Sequence, residues 1–492
     1  MRSPLARGRT SPDPLSALTP PAIGPWILLG AAMLSLALVL VAPVTVALVG
    51  GVVLLAGALI VSRLSWSLDR VTTLMVAVTV GMTPLVGGIR RGLLIPVVRV
   101  SELLVAVTFA LVVGVMLLEH RRPRFSAIDI AYWVLLLFGT AVPIMFAFYT
   151  DGSLSTDGWS TFLGPVKFYM AYRIVVDTVH TDSDLRRLLI CLLLAGAAVA
   201  VVGIFEYFNV HDLQAFLNTY YMEGDLTDTW QQQIADTRRI IATVGSWNVS
   251  GAFFAFHVAL VIALVQIRFW VMRRWMIILI GALCAVGLLL SGSMASTLGL
   301  FIAVATYAVV RRRVPRPMIL ATALVVAILA GMLFKPFLEV RLQTQYPAGS
   351  TELIPSSVQY RIALWKDQFL PVLRGHEMLG LGPSLPPEID WMTEESQYLF
   401  NMYKGGIPYL FATLGLFAVL IVQLRRRYPT QTGGQQAATL SALGLSVALV
   451  VINLNNAYST YGVPTQTFWV LVGLSSARLR DTSQWSGTSL EG

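Results

Sequence analysis

The chain has 492 residues, a length that the usual size rule would divide into about three soluble domains. Hydrophobic residues make up 56% of it, charged residues only 12%, and the mean hydropathy is +0.71. Since globular chains carry about 25% charged residues, this composition excludes a soluble protein and predicts an all-α polytopic membrane protein. In a soluble protein a net charge of +9 would suggest nucleic-acid binding. In a membrane protein its meaning depends on where along the chain the charged residues lie.

In chain order, the predicted elements begin with a polar cytoplasmic tail over residues 1–24, which lacks the apolar core of a signal peptide. A single polytopic membrane domain is predicted over 25–478, and a second cytoplasmic tail over 479–492. Apolar runs of 14 to 22 residues predict about twelve to fourteen membrane-spanning helices, of which the run at 160–176 is the weakest. The runs lie near 26–41, 43–62, 71–86, 102–118, 129–149, 160–176, 185–206, 249–267, 275–290, 295–310, 317–334, 405–423, 436–454 and 464–477.

Arginines concentrate in every second loop between these runs, as in the stretches that contain Arg121 and Arg425. By the positive-inside rule these loops are cytoplasmic, which predicts that both termini are cytoplasmic too. The excess of positive charge then sets orientation, and no nucleic-acid partner is expected. Arginine far outnumbers lysine, which suggests a GC-rich bacterial genome and therefore a multi-pass protein of the bacterial plasma (inner) membrane. Two external loops are long, about 207–248 and 335–404.

Several basic residues on the predicted outer side run against this rule. Arg238 and Arg239 precede the helix that starts near Asn248, and Arg361 and Lys366 lie in the second long loop. Guanidinium groups hold phosphate or pyrophosphate in a bidentate manner, so these residues are candidates for binding an anionic substrate. The alternative is that they are solvated loop charges or partners of nearby aspartates.

Carboxylates gather where the second long loop returns to the membrane. Glu394 and Glu395 lie just before the sequence Tyr398-Leu399-Phe400. A carboxylate at an apolar boundary is a candidate general base, and the alternative is an interfacial charge without a chemical role. The sequence contains no histidine pair at metal spacing, so no metal site is predicted, and the lack of a Walker A motif argues against ATP-driven transport. No cofactor is expected.

Four short motifs follow one another along the chain. They are Arg239-Ile-Ile-Ala-Thr-Val-Gly245-Ser-Trp-Asn248; Ser291-Gly-Ser293-Met294; Ser357-Val-Gln-Tyr-Arg361-Ile-Ala-Leu-Trp365 with Gly380-Leu-Gly382; and Glu395-Ser396-Gln397-Tyr398-Leu399 with Gly406-Ile407. In this order they resemble the bacterial O-antigen ligase and O-antigen polymerase-like family of integral membrane glycosyltransferases, over about residues 90–425. Two positions depart from the family pattern. Glu395 stands where lipopolysaccharide ligases carry His, and Met294 stands where Arg often occurs.

The resemblance implies a GT-C-like fold in which the large external loop between about 335 and 404 caps a membrane cavity. It implies an undecaprenyl-diphosphate-linked glycan as donor and a hydroxyl of a glycan or glycolipid as acceptor, without a metal. Release of a lipid diphosphate requires its charge to be stabilised, and Arg239 and Arg361 are expected to do this where metal-dependent enzymes use a cation. Glu395 is expected to accept the proton of the attacking hydroxyl.

Further residues are expected to bind substrate. Trp365 is expected to stack on a sugar ring, although an interfacial role fits it equally well. The complete set of expected substrate-binding residues is Arg238, Lys167, Arg99, Trp365, Lys366, Asn248 and Glu394. Two other functions stay open: a scaffold that binds glycolipid without turnover, and a flippase of lipid-linked glycans. A flippase needs polar groups near the membrane midplane, and Lys167, Arg173 and His257 keep it possible.

Overall fold

The computed structural model of the protein describes residues 68–90, 98–151, 156–221, 239–311, 356–382 and 396–479. Helices are the only regular secondary structure in these ranges. The predicted fold class, an all-α polytopic membrane protein, is therefore confirmed. The described residues from Thr72 onward belong to one compact unit.

Fifteen α-helices are described. In chain order they are α1 (Leu68–Val86), α2 (Val100–Leu118), α3 (Ala127–Leu136), α4 (Val142–Asp151), α5 (Thr156–Thr178), α6 (Asp182–Tyr207), α7 (Leu213–Tyr220), α8 (Trp247–Ile267), α9 (Arg274–Ser291), α10 (Met294–Arg311), α11 (Ser356–Leu364), α12 (Leu370–Leu373), α13 (Gln397–Arg427), α14 (Gly433–Ile452) and α15 (Gly462–Ser476). The π-helical turns Leu137–Ala141 and Trp365–Phe369 join α3 to α4 and α11 to α12.

Within the described ranges, eight helices are long and apolar enough to cross a membrane. They are α2, the continuous α3–α4, α6, α8, α9, α10, α13 and α14. Helices α1, α5 and α15 also coincide with predicted runs. Helix α15 is not among the eight because it is shorter, and α5 because it is less apolar and contains Lys167 and Arg173. The runs predicted near 26–41, 43–62 and 317–334 lie outside the described residues.

Two predicted loops contain helix. Helix α7 lies within the first long loop, and α11 and α12 lie within the second. Helix α13 begins at Gln397, eight residues before the predicted start near 405. Hydropathy placed the start too late because the first two turns of the helix are polar and aromatic rather than apolar. These turns are separated from the apolar part by non-helical backbone at Gly405 and Gly406.

Helices α8 and α14 form the centre of the bundle. In the apolar membrane-spanning stretch of α8, 83% is buried inside the protein, and in that of α14 the share is 72%. Glycines let neighbouring helices approach these two closely: Gly287 of α9 lies against the ring of Phe254, and Gly444 of α14 against the ring of Tyr307. Close packing at small residues is the usual basis of association between membrane helices, because lipid provides no hydrophobic drive.

Contacts between loops define two ends of the bundle. At one, called here the Arg239 end, Gly88 N donates to Thr243 O at 3.0 Å, and the loops before α8, after α9 and before α15 meet. At the opposite end, called the Arg427 end, Arg427 Nη1 donates to Ser476 Oγ at 2.5 Å. The described loops of the Arg427 end contain Arg121, Arg122, Arg124, Arg268, Arg273 and Arg478.

Candidate functional site

Arg239 is held in place by its side chain as well as by its backbone. It is only 8% exposed. Its Nε donates to Ser291 O at 2.9 Å and its Nη2 to Gly292 O at 3.4 Å, while the guanidinium carbon lies 4.6 Å from the centroid of the Trp247 ring. The carbonyls at the C-terminus of α9 lack intrahelical partners and favour a cation. The first two sequence motifs therefore meet in space through Arg239.

The segment that follows Arg239 is fixed to three helices. Ile240 N donates to Leu290 O of α9 at 3.3 Å, and Thr243 Oγ1 donates to Pro84 O of α1 at 2.8 Å. Ser246 is the N-cap of α8, where its Oγ accepts a hydrogen bond from Val249 N at 3.3 Å. Asn248, a predicted substrate-binding residue, lies half-buried in the first turn of this helix.

Two further predicted residues, Arg99 and Lys167, converge on one point. Arg99 is the N-cap of α2, and Lys167 lies near the middle of α5 with 7% exposure. The position that a β-carbon on Gly462 would take is 3.3 Å from Arg99 Nη1 and 3.6 Å from Lys167 Nζ. Gly462 is the first residue of α15, so both cationic groups approach the start of this helix.

Glu102 provides the negative charge of this cluster. Its Oε1 lies 3.5 Å from Lys167 Nζ, and its Oε2 accepts a hydrogen bond from Arg99 N at 3.0 Å. The side chains of Lys167 and Glu102 are 8% and 10% exposed. Among the described residues, two cationic side chains and one carboxylate thus meet in a largely buried setting, and cationic donors shielded from water suit an anionic ligand.

One loop joins the Lys167 cluster to the Arg239 segment. The hydroxyl of Tyr458 lies 3.5 Å from Ser293 Oγ, in the turn whose carbonyls bind Arg239. The rings of Tyr458 and Tyr461 are 5.1 Å apart, and Tyr461 directly precedes Gly462. The structure thus places the predicted residues Arg239, Lys167 and Arg99 at the same end of the bundle.

Arg361, Trp365 and Lys366 lie on α11 and on the π-helical turn that follows it. Arg361 and Trp365 are half-buried, and Lys366 is exposed. The segment docks on the first turns of α13, where the rings of Phe369 and Tyr403 are 5.8 Å apart.

The backbone completes this docking. Leu381 N donates to Tyr403 O at 2.6 Å, and Ile407 N donates to Glu377 O at 2.7 Å. Hydrogen bonds from the backbone amides of Glu377 and Gly375 lower the pKa of the exposed Glu377 carboxyl. The third and fourth motifs, like the first two, are neighbours in space.

Arg238, Glu394 and Glu395 lie outside the described residues. The residues that follow Glu395 in the sequence are described: Gln397 N donates to Asn453 O at 2.9 Å, and Ser396 Oγ to the same carbonyl at 3.4 Å. Both are buried at the start of α13.

Sequence reasoning missed several buried polar residues at the Arg239 end. Glu102 and Glu206 lie near the ends of apolar runs, and an ionisable residue in such a place is itself a signal of function. Gln397 Nε2 donates to Asn401 Oδ1 at 2.8 Å, and Asn401 Nδ2 donates to the hydroxyl of Thr413 at 2.8 Å. Uncharged residues of this kind give no comparable signal in a sequence.

The described residues contain no group of three or more His, Cys, Asp or Glu side chains arranged to hold a metal ion. The chain matches no model of a known protein family and no curated protein. The resemblance to the O-antigen ligase and polymerase-like family therefore stays a prediction from the sequence.

Proposed function

We propose that the protein transfers or polymerises a glycan, from an undecaprenyl-diphosphate-linked donor to a hydroxyl of a glycan or glycolipid acceptor. The observation that carries this proposal is the convergence of Arg99 and Lys167 beside Gly462, at the end of the bundle that also holds Arg239. A diphosphate is multiply charged and is bound best by several cationic donors that are shielded from water.

The proposal includes an orientation. The arginines in the described loops of the Arg427 end support a cytoplasmic location for that end, because cytoplasmic loops are enriched in Arg and Lys. The Arg239 end then faces outward, at the outer surface of a bacterial plasma membrane, and both termini are cytoplasmic. This is the side on which a lipid-linked glycan is presented for transfer.

The proposed reaction breaks the anomeric C–O bond of the donor and releases a lipid diphosphate. Arg239 and Arg361 stabilise the charge on the leaving group, with Arg99 and Lys167 holding the phosphates. Glu395 accepts the proton of the attacking hydroxyl. Attack from the face opposite the diphosphate inverts the anomeric centre. This assignment of Arg361 and Glu395 rests on the sequence motifs.

One reconstitution tests the proposal. Purified protein in liposomes receives a lipid-diphosphate-linked oligosaccharide and an acceptor glycan. A new glycosidic product together with free lipid diphosphate is the expected result, and Arg239→Ala and Arg361→Ala are expected to abolish it. Arg187→Ala serves as the control, because its side chain is 60% exposed at the Arg427 end of α6. Wild-type turnover by Arg239→Ala would refute the mechanism.

The same reconstitution distinguishes the alternatives. Movement of the donor across the bilayer without product would indicate a flippase, and binding without either would indicate a scaffold. Arg173 and His257, two of the residues that left a flippase function possible, make fixed internal contacts. Arg173 pairs with Asp129 and Asp177 at 3.1 and 2.6 Å, and the ring nitrogens of His257 lie 2.8 and 3.1 Å from backbone carbonyls of α8 and α6. These contacts favour a structural role for both.

A further inference from the structure

Glu206 binds the backbone of the segment that carries Arg239. It lies in the last turn of α6 and is 2% exposed. Its Oε1 accepts a hydrogen bond from Ile241 N at 2.9 Å, and its Oε2 accepts from Ala242 N at 2.7 Å and from Ile241 N at 3.2 Å. These amides belong to the second and third residues after Arg239.

The backbone at this point has a conformation that needs such support. Ala242 has a φ of +46°, in the left-handed region that is costly for a residue with a β-carbon. The amides of Ile241 and Ala242 consequently point to the same side and form a small anion-binding concavity. Both oxygens of a carboxyl group can accept hydrogen bonds, and here they take up both amides, so Glu206 is well suited to hold this turn.

The turn is held from its other side as well. Ser250 Oγ donates to Ile241 O at 2.6 Å, while Ile240 N donates to Leu290 O at 3.3 Å. With its neighbours fixed in this way, the backbone of Arg239 is placed so that its guanidinium reaches Ser291 O and the face of Trp247. The amide of Ile241, which Glu206 binds, therefore lies only two residues along the constrained backbone from Arg239.

We infer that Glu206 is a positioning residue: its carboxylate fixes the turn at Ile241 and Ala242 and thereby aims the guanidinium of Arg239 at the diphosphate of the donor. The inference rests on the proposed function for the identity of the ligand. The position of the turn itself does not depend on that identity.

A double-mutant cycle tests the coupling. Binding of undecaprenyl diphosphate to the full-length protein in nanodiscs is measured for the wild type, Glu206→Gln, Arg239→Ala and the double variant. Glu206→Gln is expected to weaken binding by at least about tenfold, because the glutamine Nε2 cannot accept a hydrogen bond and one of the two buried amides loses its partner. In the Arg239→Ala background it is expected to have no further effect, because Glu206 acts through Arg239. Glu119→Gln, at the Arg427 end of α2, is the matched control and is expected to bind like the wild type.

A second measurement needs no ligand. Amide hydrogen exchange at Ile241 and Ala242 is expected to accelerate in Glu206→Gln and to stay unchanged in Glu119→Gln. Adding Ala242→Gly to Glu206→Gln is expected to restore part of the binding, because glycine adopts a positive φ without penalty. If Glu206→Gln does not fold, Glu206→Asp, whose shorter side chain withdraws the carboxyl group from both amides, takes its place with the same expectations.

The results separate the two levels of the proposal. Absence of undecaprenyl diphosphate binding by the wild type would overturn the proposed function, and the exchange measurement would still decide whether Glu206 fixes the turn. Equal losses from Glu206→Gln in the wild-type and Arg239→Ala backgrounds would overturn the inference. So would unchanged exchange at Ile241 and Ala242.

Discussion

Gly380 lies directly against the break in α13 at Gly406: a β-carbon on Gly380 would come within 2.8 Å of the amide nitrogen of Gly406. Gly406 has a φ of +70°, and a β-carbon there would lie 2.7 Å from Glu377 O. The backbone of the segment before Gly382 thus occupies the space that side chains on these glycines would fill. This contact gives a physical reason for glycine in both motifs.

Gly380→Ala is expected to undock the segment 356–382 from α13. The alanine would have to adopt a φ of +71° and would collide with backbone that has no rotamer to change. We expect a loss of about 1–3 kcal/mol in the stability of this docking. Limited proteolysis of the segment measures it. The control is Gly415→Ala in α13, where the added methyl group has open space and should leave proteolysis unchanged. Equal sensitivity of both variants to the protease would argue against the docking role.

Gly462→Ala is expected to weaken binding of a diphosphate lipid by about tenfold or more, the factor that corresponds to about 1.4 kcal/mol. The added methyl group would lie 3.3 Å from Arg99 Nη1 and 3.6 Å from Lys167 Nζ, where it would shift the Arg99 guanidinium and fill space that a ligand between the two cations needs. The fold should survive, since flexible side-chain ends can move. Binding of undecaprenyl diphosphate measures the effect, with Gly164→Ala in α5 as a control in open space. Affinity equal to the wild type would show that the ligand does not bind between these cations.

Arg239→Lys separates charge from geometry. Lysine keeps the positive charge but loses the planar group that contacts Trp247 and the two donors to Ser291 and Gly292. We expect binding of undecaprenyl diphosphate to fall by about tenfold or more, on the scale of one charge-assisted hydrogen bond. Arg274→Lys removes a comparable contact, 5.6 Å from the Trp270 ring at the Arg427 end, and should bind normally. Full binding by Arg239→Lys would mean that charge alone suffices.

Arg173→Ala is expected to destabilise the protein by about 3–5 kcal/mol, the usual cost of leaving a buried carboxylate unpaired. The side chains of Arg173 and Asp129 are 4% and 1% exposed, and Arg173 Nη1 also donates to Arg124 O at 3.0 Å. Thermal unfolding in detergent measures this loss. The control is Arg187→Ala, which removes an ion pair to Asp184 whose arginine side chain is 60% exposed and for which about 0–1 kcal/mol is expected. A stable Arg173→Ala protein with altered lipid movement would instead support the flippase alternative.

The helices were largely predictable from the sequence because the bilayer restricts the choices. A spanning segment must be apolar and about 20 residues long, so hydropathy alone located α2, α6, α8 and α14 to within a few residues. Hydropathy does not locate a helix that is not apolar. The first turns of α13 carry Gln397, Asn401 and Lys404, and their helical state depends on partners elsewhere in the chain.

The candidate site was predictable only in part. Arg99, Lys167 and Arg239 stood out because basic residues are unusual on the predicted outer side, and the structure places them at one end of the bundle. Glu102 and Glu206 are ionisable residues near the ends of apolar runs, but the partners that give them a role, Lys167 and the amides of the turn after Arg239, are distant in the sequence. No spacing rule connects α6 to the segment after Arg239.

By itself, the sequence determined the all-helical membrane fold, the positions of the apolar helices and the unusual basic residues. It did so because hydropathy and charge are properties of the residues themselves. Only the tertiary structure decided that Arg99 and Lys167 meet at Gly462, that Arg239 binds the end of α9, and that Glu206 holds the turn beside it. These relationships depend on how helices distant in sequence pack against one another, and packing is set by shape and hydrogen bonding that no local pattern contains.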